Sequence, residues 1–154
     1  MKIYSPAFQE KMPIPEKYTC EGSDISIPLA WEDVPEEAIS LALIMDDPDA
    51  PAGTWVHWVV FNIPASARGL TEDQPKERNL PGGGLQGINT GRRTGYAGPC
   101  PPGGVHRYFF KLYALDCVFP AKSGITKEEL LEQMQGHILS KCEFFGTYQR
   151  KSSR

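Results

Sequence analysis

The sequence predicts a mainly β, antiparallel fold with a short helix near the C-terminus. Three observations predict the β class. Thr54–Ile63 (TWVHWVVFNI) and His106–Cys117 are long runs of aromatic and β-branched residues, the composition of central strands. A helical apolar period occurs once, late in the chain, and strands do not alternate with helices as a parallel sheet requires. More than half of the 15 glycines and 14 prolines lie between Pro64 and Gly104, so a long irregular connection separates the two strongest strands.

The elements follow in order. Lys2–Ser5 reads as a short first strand. Residues 11–35 carry Pro13, Pro15, Pro28 and Pro35, leaving room for short edge strands around Ile25–Trp31. Ile39–Met45 is continuously apolar and of strand length, so it reads as a buried strand. In Thr54–Ile63, simple alternation puts Trp55, His57, Val59 and Phe61 on one face and Val56, Trp58 and Val60 on the other. Thr126 followed by Glu129 forms a capping-box pattern ahead of Leu130, Leu131, Met134 and Ile138, which predicts a helix to about His137. Cys142–Tyr148 reads as a final strand.

At 154 residues the chain has the length of one domain, read as spanning 1–154, and it needs no metal or disulfide to fold. The net charge of −3 and the absence of a basic cluster beyond Arg92-Arg93 exclude a nucleic-acid footprint. No apolar run approaches the ~20 residues of a membrane span, and the N-terminus lacks a signal-peptide pattern. Cys20, Cys100, Cys117 and Cys142 lie far apart, without zinc spacing. They read as free thiols of a soluble, cytoplasmic protein. No cofactor or metal motif is expected. Gly82–Gly87 formally matches G-x-G-x-x-G but lacks the flanking strand and helix, so a dinucleotide site is rejected.

The chemistry-bearing residues gather around rigid loops. Asp46-Asp47-Pro48-Asp49-Ala50-Pro51 follows the buried strand, and its prolines limit the geometry of the acids. Such a turn is also compatible with solvated carboxylates, and a calcium loop is excluded by the residues after Asp49. Two of the three histidines, His57 and His106, lie on the core strands. Tyr108 shares a face with His106, and the Gly- and Pro-rich segment Gly91–Gly104 runs into that strand. Imidazoles, carboxylates and loop amides together make a small-anion receptor, and the same groups serve general acid–base chemistry. Cys100, between two prolines, lacks the setting that activates a thiol.

Read jointly, DPDAP (Asp47–Pro51), WVHW (Trp55–Trp58), GYAGPCPP (Gly95–Pro102) and HRYFF (His106–Phe110) resemble the phosphatidylethanolamine-binding protein family, in particular its bacterial and archaeal Raf-kinase-inhibitor-like branch. The resemblance spans about residues 1–150. It implies an antiparallel β-sandwich-like fold, a large sheet on a smaller one, and an anion pocket at one end that accepts phosphate-like groups. By motif, Asp47, Asp49, Trp55, His57, Gly98, Cys100, Pro101, His106 and Tyr108 are the ligand-binding residues it implies. The expected function is a binder of a small phosphorylated or anionic ligand, regulating or inhibiting a kinase or protease as its protein partner, with a homodimer as a further association. The competing reading is a hydrolase or phosphoryl-handling enzyme using His57 or His106 with Asp47. No activated nucleophile is found, so no catalytic residue is assigned. A third reading is an interaction protein with a vestigial pocket.

Overall fold

The computed structural model describes residues 1–151. The strands are β1 (Lys2–Tyr4), β2 (Leu29–Glu32), β3 (Ser40–Asp47), β4 (Trp55–Pro64), β5 (Gly69–Leu70), β6 (Leu85–Gln86), β7 (His106–Leu115) and β8 (Ile138–Tyr148), and helix α1 spans Lys127–Met134. They form two antiparallel sheets, a small one of order β1-β2-β5 and a large one of order β6-β4-β3-β7-β8.

Both faces of the large sheet are covered. One face contributes Leu41, Leu43, Met45, Trp58, Tyr108 and Phe110 to a core shared with Ile3, Leu29 and Trp31 of the small sheet. The other face contributes Ala42, Ile44, Val59, Phe61 and Leu115 to a second core closed by Ile125, Leu130 and Met134 at the helix. A strand covered on both faces is apolar at consecutive positions, which is why β3 lacks polar alternation and is buried throughout.

Five expectations are corrected in detail. Strict alternation along β4 fails. Met45 pairs with Trp58 and Asp46 with Val56, leaving His57 as an extra residue in a bulge. Val56 therefore joins Val59 and Phe61 on the helix side, while Trp58 and Val60 face the small sheet. A second irregularity near Asn62, whose φ is 53°, returns Ile63 to the small-sheet side. Ile39, expected in the buried strand, is outside it and 56% exposed. β7 ends at Leu115 and the chain bends at Asp116 and Cys117. The helix is capped as predicted: Thr126 Oγ1 accepts from Glu129 N at 3.2 Å, and Glu129 Oε1 accepts from Thr126 N at 3.1 Å. It stops at Met134, short of His137, because Gln135 leaves helical geometry and Gly136 adopts a φ of 81°. The final strand begins earlier than expected, at Ile138.

Antiparallel pairing brings the end of β3 and the beginnings of β4 and β7 to one edge of the large sheet. The acidic turn, the Trp55–His57 segment and His106 meet there.

Candidate functional site

A cavity of about 510 Å³ opens at this edge. Asp47, Trp55, His57, Gly98, Cys100, Pro101, His106 and Tyr108, all singled out by sequence, line it. Asp49 does not. Its carboxylate accepts from Arg107 N and Nε, both at 2.9 Å, and from Arg107 Nη2 at 2.8 Å. These bonds hold the carboxyl down at about 2. Asp49 thus anchors the acidic turn to the start of β7. Asp46 points to the opposite face, where Lys127 and Lys111 donate to its Oδ2 at 2.7 and 3.3 Å. Of the three acids, only Asp47 reaches the cavity.

Asp47 is buried and fully engaged. Its Oδ1 accepts from Asp49 N at 2.7 Å, and its Oδ2 accepts from His106 Nδ1 at 2.7 Å. That second bond fixes the orientation of the His106 ring and leaves Nε2 for the cavity. His57 Nδ1 donates to Ala97 O at 2.6 Å. A carbonyl only accepts, so this bond sets the tautomer and leaves His57 Nε2 without a proton when the ring is neutral. Burial pushes His57 below its ordinary 6.5, against smaller opposing effects of the Ala97 bond and of Asp47, Asp24 and Asp46. The ring is therefore neutral at neutral pH.

Tyr108 stands between the imidazoles, its ring centroid 5.2 Å from that of His57 and 6.5 Å from that of His106. It is fully buried, and its hydroxyl has no hydrogen-bond partner in the protein. Burial, reinforced by Asp47 and Asp49, pushes the phenol well above its usual range, so it remains a proton donor. Trp55 packs on His57 with centroids 4.6 Å apart.

The loop wall is fastened from several sides. Ala97 N donates to His57 O at 3.0 Å, Tyr96 Oη to Tyr18 O at 2.7 Å, and Gly98 N to Asp24 Oδ1 at 2.7 Å. A Cβ at Gly98 would strike Tyr18 O and Asp24 Oδ1, so only glycine permits this close approach. Cys100 is not a free thiol: it forms a disulfide with Cys20, their Cα atoms 5.4 Å apart, whereas Cys117 and Cys142 are free. The expectation of four thiols fails because the 18–24 segment folds against the pocket loop, a long-range contact with no local signal. Cys20, Asp24 and Arg107 were missed as supports for the same reason. Thr90, also missed, lines the cavity and accepts from Val56 N at 2.7 Å. Within Gly82–Gly87, three glycines of positive φ, Gly82, Gly83 and Gly84, lead into β6.

The chain is thus of the class of two-sheet antiparallel β domains with an edge cavity, here walled by histidines, a buried carboxylate and a stapled loop. The sequence profile described as phosphatidylethanolamine-binding protein matches residues 4–149, and the chain belongs to that family. A UPF0098 protein of Methanothermobacter thermautotrophicus is 53% identical over 97% of this chain and 99% of its own length. Another, from Chlamydia muridarum, is 48% identical over 97% and 99%. Among solved structures, a putative phosphatidylethanolamine-binding protein homologue from Chlamydia trachomatis superposes with a TM-score of 0.88 at 44% identity, covering 97% of each chain. Escherichia coli YbcL, described as a member of the mammalian family, also gives 0.88, at 31% identity over 97% and 98%. Among the described residues, no helix is long and apolar enough to cross a membrane.

Proposed function

We propose that this protein binds a small phosphorylated or otherwise anionic group in the cavity formed by Asp47, His57, His106 and Tyr108. The observation that carries this reading is the buried, unpartnered hydroxyl of Tyr108. An unsatisfied buried donor costs about 1–3 kcal/mol, a cost that an acceptor oxygen on a ligand removes. The Nε2 atoms of His57 and His106 supply further polar positions, and each becomes a donor when its ring is protonated. Trp55 and the proline-rich wall favour an apolar or cationic substituent beside the anion, as in a phosphoethanolamine headgroup.

Titration with inorganic phosphate, phosphoethanolamine and a nucleotide, followed by calorimetry and imidazole NMR, tests this. Saturable shifts of His57 and His106 are expected, weakened in Tyr108→Phe. Absence of any shift with all three anions overturns the reading. Regulation of a kinase or protease is the finer form of this function: inhibition in a kinase or protease assay should weaken in the same variant.

A hydrolytic reading is favoured by one observation, the Asp47–His106 hydrogen bond, which is the orienting half of a general-base pair. Cys100 supplies no nucleophile because its sulfur is in a disulfide, so an attacking water would be needed. Turnover of phosphoesters that His106→Ala abolishes would promote this reading over binding.

A further inference from the structure

We propose a second site, far from the anion pocket, that takes a borderline divalent transition ion of the zinc class through Asp116, Cys117 and His137. The three side chains offer a carboxylate oxygen, a thiol sulfur and an imidazole nitrogen, all within 4.8 Å of one another. They lie where β7 ends and β8 begins, at the Ser40 end of β3, whereas the pocket occupies the Asp47 end.

The local fold holds these donors together. Two consecutive residues on a strand point to opposite faces, but Asp116 and Cys117 sit in the bend after β7, so both reach one point. Gly136, in the left-handed region at φ 81°, turns the chain out of α1 and sets His137 beside that bend. Asp116 N donates to His137 O at 3.1 Å, fastening the two segments by their backbones. Ser40 Oγ donates to Cys117 O at 2.5 Å, and Asn62 Oδ1 accepts from Phe119 N at 2.9 Å, so the bend is braced from β3 and β4. The Phe119 ring meets the His137 imidazole edge-on, with centroids 6.4 Å apart.

The donor set selects the ion class. One thiolate, one imidazole and one carboxylate suit zinc or cobalt(II), while calcium and magnesium require several oxygen ligands. Metal bonds of about 2.0–2.3 Å are reached by small side-chain rotations that place the ion between the three donors. His137 Nδ1 now lies 2.8 Å from Asp116 Oδ1. On binding, the thiol proton leaves to water, and the imidazole proton shared with Asp116 moves to Nε2. The fourth position stays open to solvent, since the His137 and Asp116 side chains are 44% and 45% exposed. Sequence spacing hides the site because its ligands come from a 116–117 pair and a residue beyond an intervening helix.

Cobalt(II) titration of the full chain, with the Cys20–Cys100 disulfide intact, tests the proposal. Only Cys117 and Cys142 are free to give a thiolate-to-cobalt absorption band, so the signal separates this site from metal caught by the pocket histidines. The expected result is a saturable band at one ion per chain, discharged by zinc. It should be lost in Cys117→Ser, retained in Cys142→Ser and His57→Ala, and at least ~10-fold weaker in affinity in His137→Ala. No thiolate band, or one that survives Cys117→Ser, overturns the proposal. Circular dichroism of each variant separates loss of ligand from loss of fold.

Discussion

Asp47 Oδ2 and His106 Nδ1 lie 2.7 Å apart although 59 residues separate them in the chain. Both are buried, and both stand at strand ends: Asp47 closes β3 and His106 opens β7. The contact joins the acidic turn to the strand that follows the pocket loop. Asp47→Asn should release the His106 ring and disturb the Asp49 amide bond. A stability loss of about 1–3 kcal/mol is expected, measured by denaturant unfolding. Nitrogen NMR should also show His106 losing its fixed Nδ1–H tautomer. An unchanged His106 spectrum would contradict the orienting role.

Tyr108→Phe separates stability from binding. The hydroxyl is buried without a partner, so removing it costs the free protein nothing in hydrogen bonds and should leave it as stable or about 1 kcal/mol more stable. Phosphoethanolamine affinity should fall about tenfold, equivalent to roughly 1.4 kcal/mol. Thermal unfolding and calorimetry read the two effects independently. A destabilised variant with unchanged affinity would show that the hydroxyl serves the fold instead.

The depressed His57 pKa sets the sign of a pH effect. In the free protein His57 is neutral above a value lower than 6.5. An anion accepting from Nε2–H favours the charged ring and raises its pKa in the complex. Between the free and bound values, binding takes up a proton, so affinity weakens as pH rises, by up to about tenfold per unit. Calorimetry in buffers of different ionisation enthalpy counts that proton. Flat affinity with no uptake would assign the binding to Tyr108 and the loop amides. The same shift lowers stability in acid: the unfolded chain binds the His57 proton first, so stability falls as pH drops below 6.5 toward the folded value.

Reducing the Cys20–Cys100 disulfide, or replacing both residues by serine, should cost about 2–5 kcal/mol of stability. The two cysteines are 80 residues apart, so the bond closes a long loop. Anion affinity should fall as well, because the same bond ties the pocket wall to the 18–24 segment. Denaturant midpoints and phosphate titration check the two parts. Unchanged affinity would mean that the Tyr96–Tyr18 and Gly98–Asp24 bonds are sufficient to hold the wall. The disulfide also withdraws the support that four free thiols lent to a cytoplasmic location.

Most of the pocket was legible because its residues sit next to strong local signals. Asp47 ends an apolar strand, His57 lies in the most strand-like segment, and His106 begins another. Tyr108 was reached from His106 by the period-two rule, which held along β7, where His106, Tyr108 and Phe110 are all buried. The same rule failed along β4, where a bulge at His57 moves Val56 to the opposite core. A bulge is a property of pairing between strands, and the apolar residues on either side of His57 suit both faces. Asp46, Asp47 and Asp49 were likewise indistinguishable by type. Strand direction and the positions of Lys127 and Arg107 send one to the helix side, one into the cavity and one to a surface ion pair.

By itself, the sequence determined the β class, the capping of the helix, the strands that meet at the pocket and the family, since each rests on local composition or on ordered motifs. Only the tertiary structure decided that Cys20 meets Cys100, that Asp49 braces a turn instead of facing the cavity, and that Asp116, Cys117 and His137 converge. These are contacts between segments distant in the chain, chosen by how two sheets and a helix close over a shared core, and no nearest-neighbour pattern encodes them.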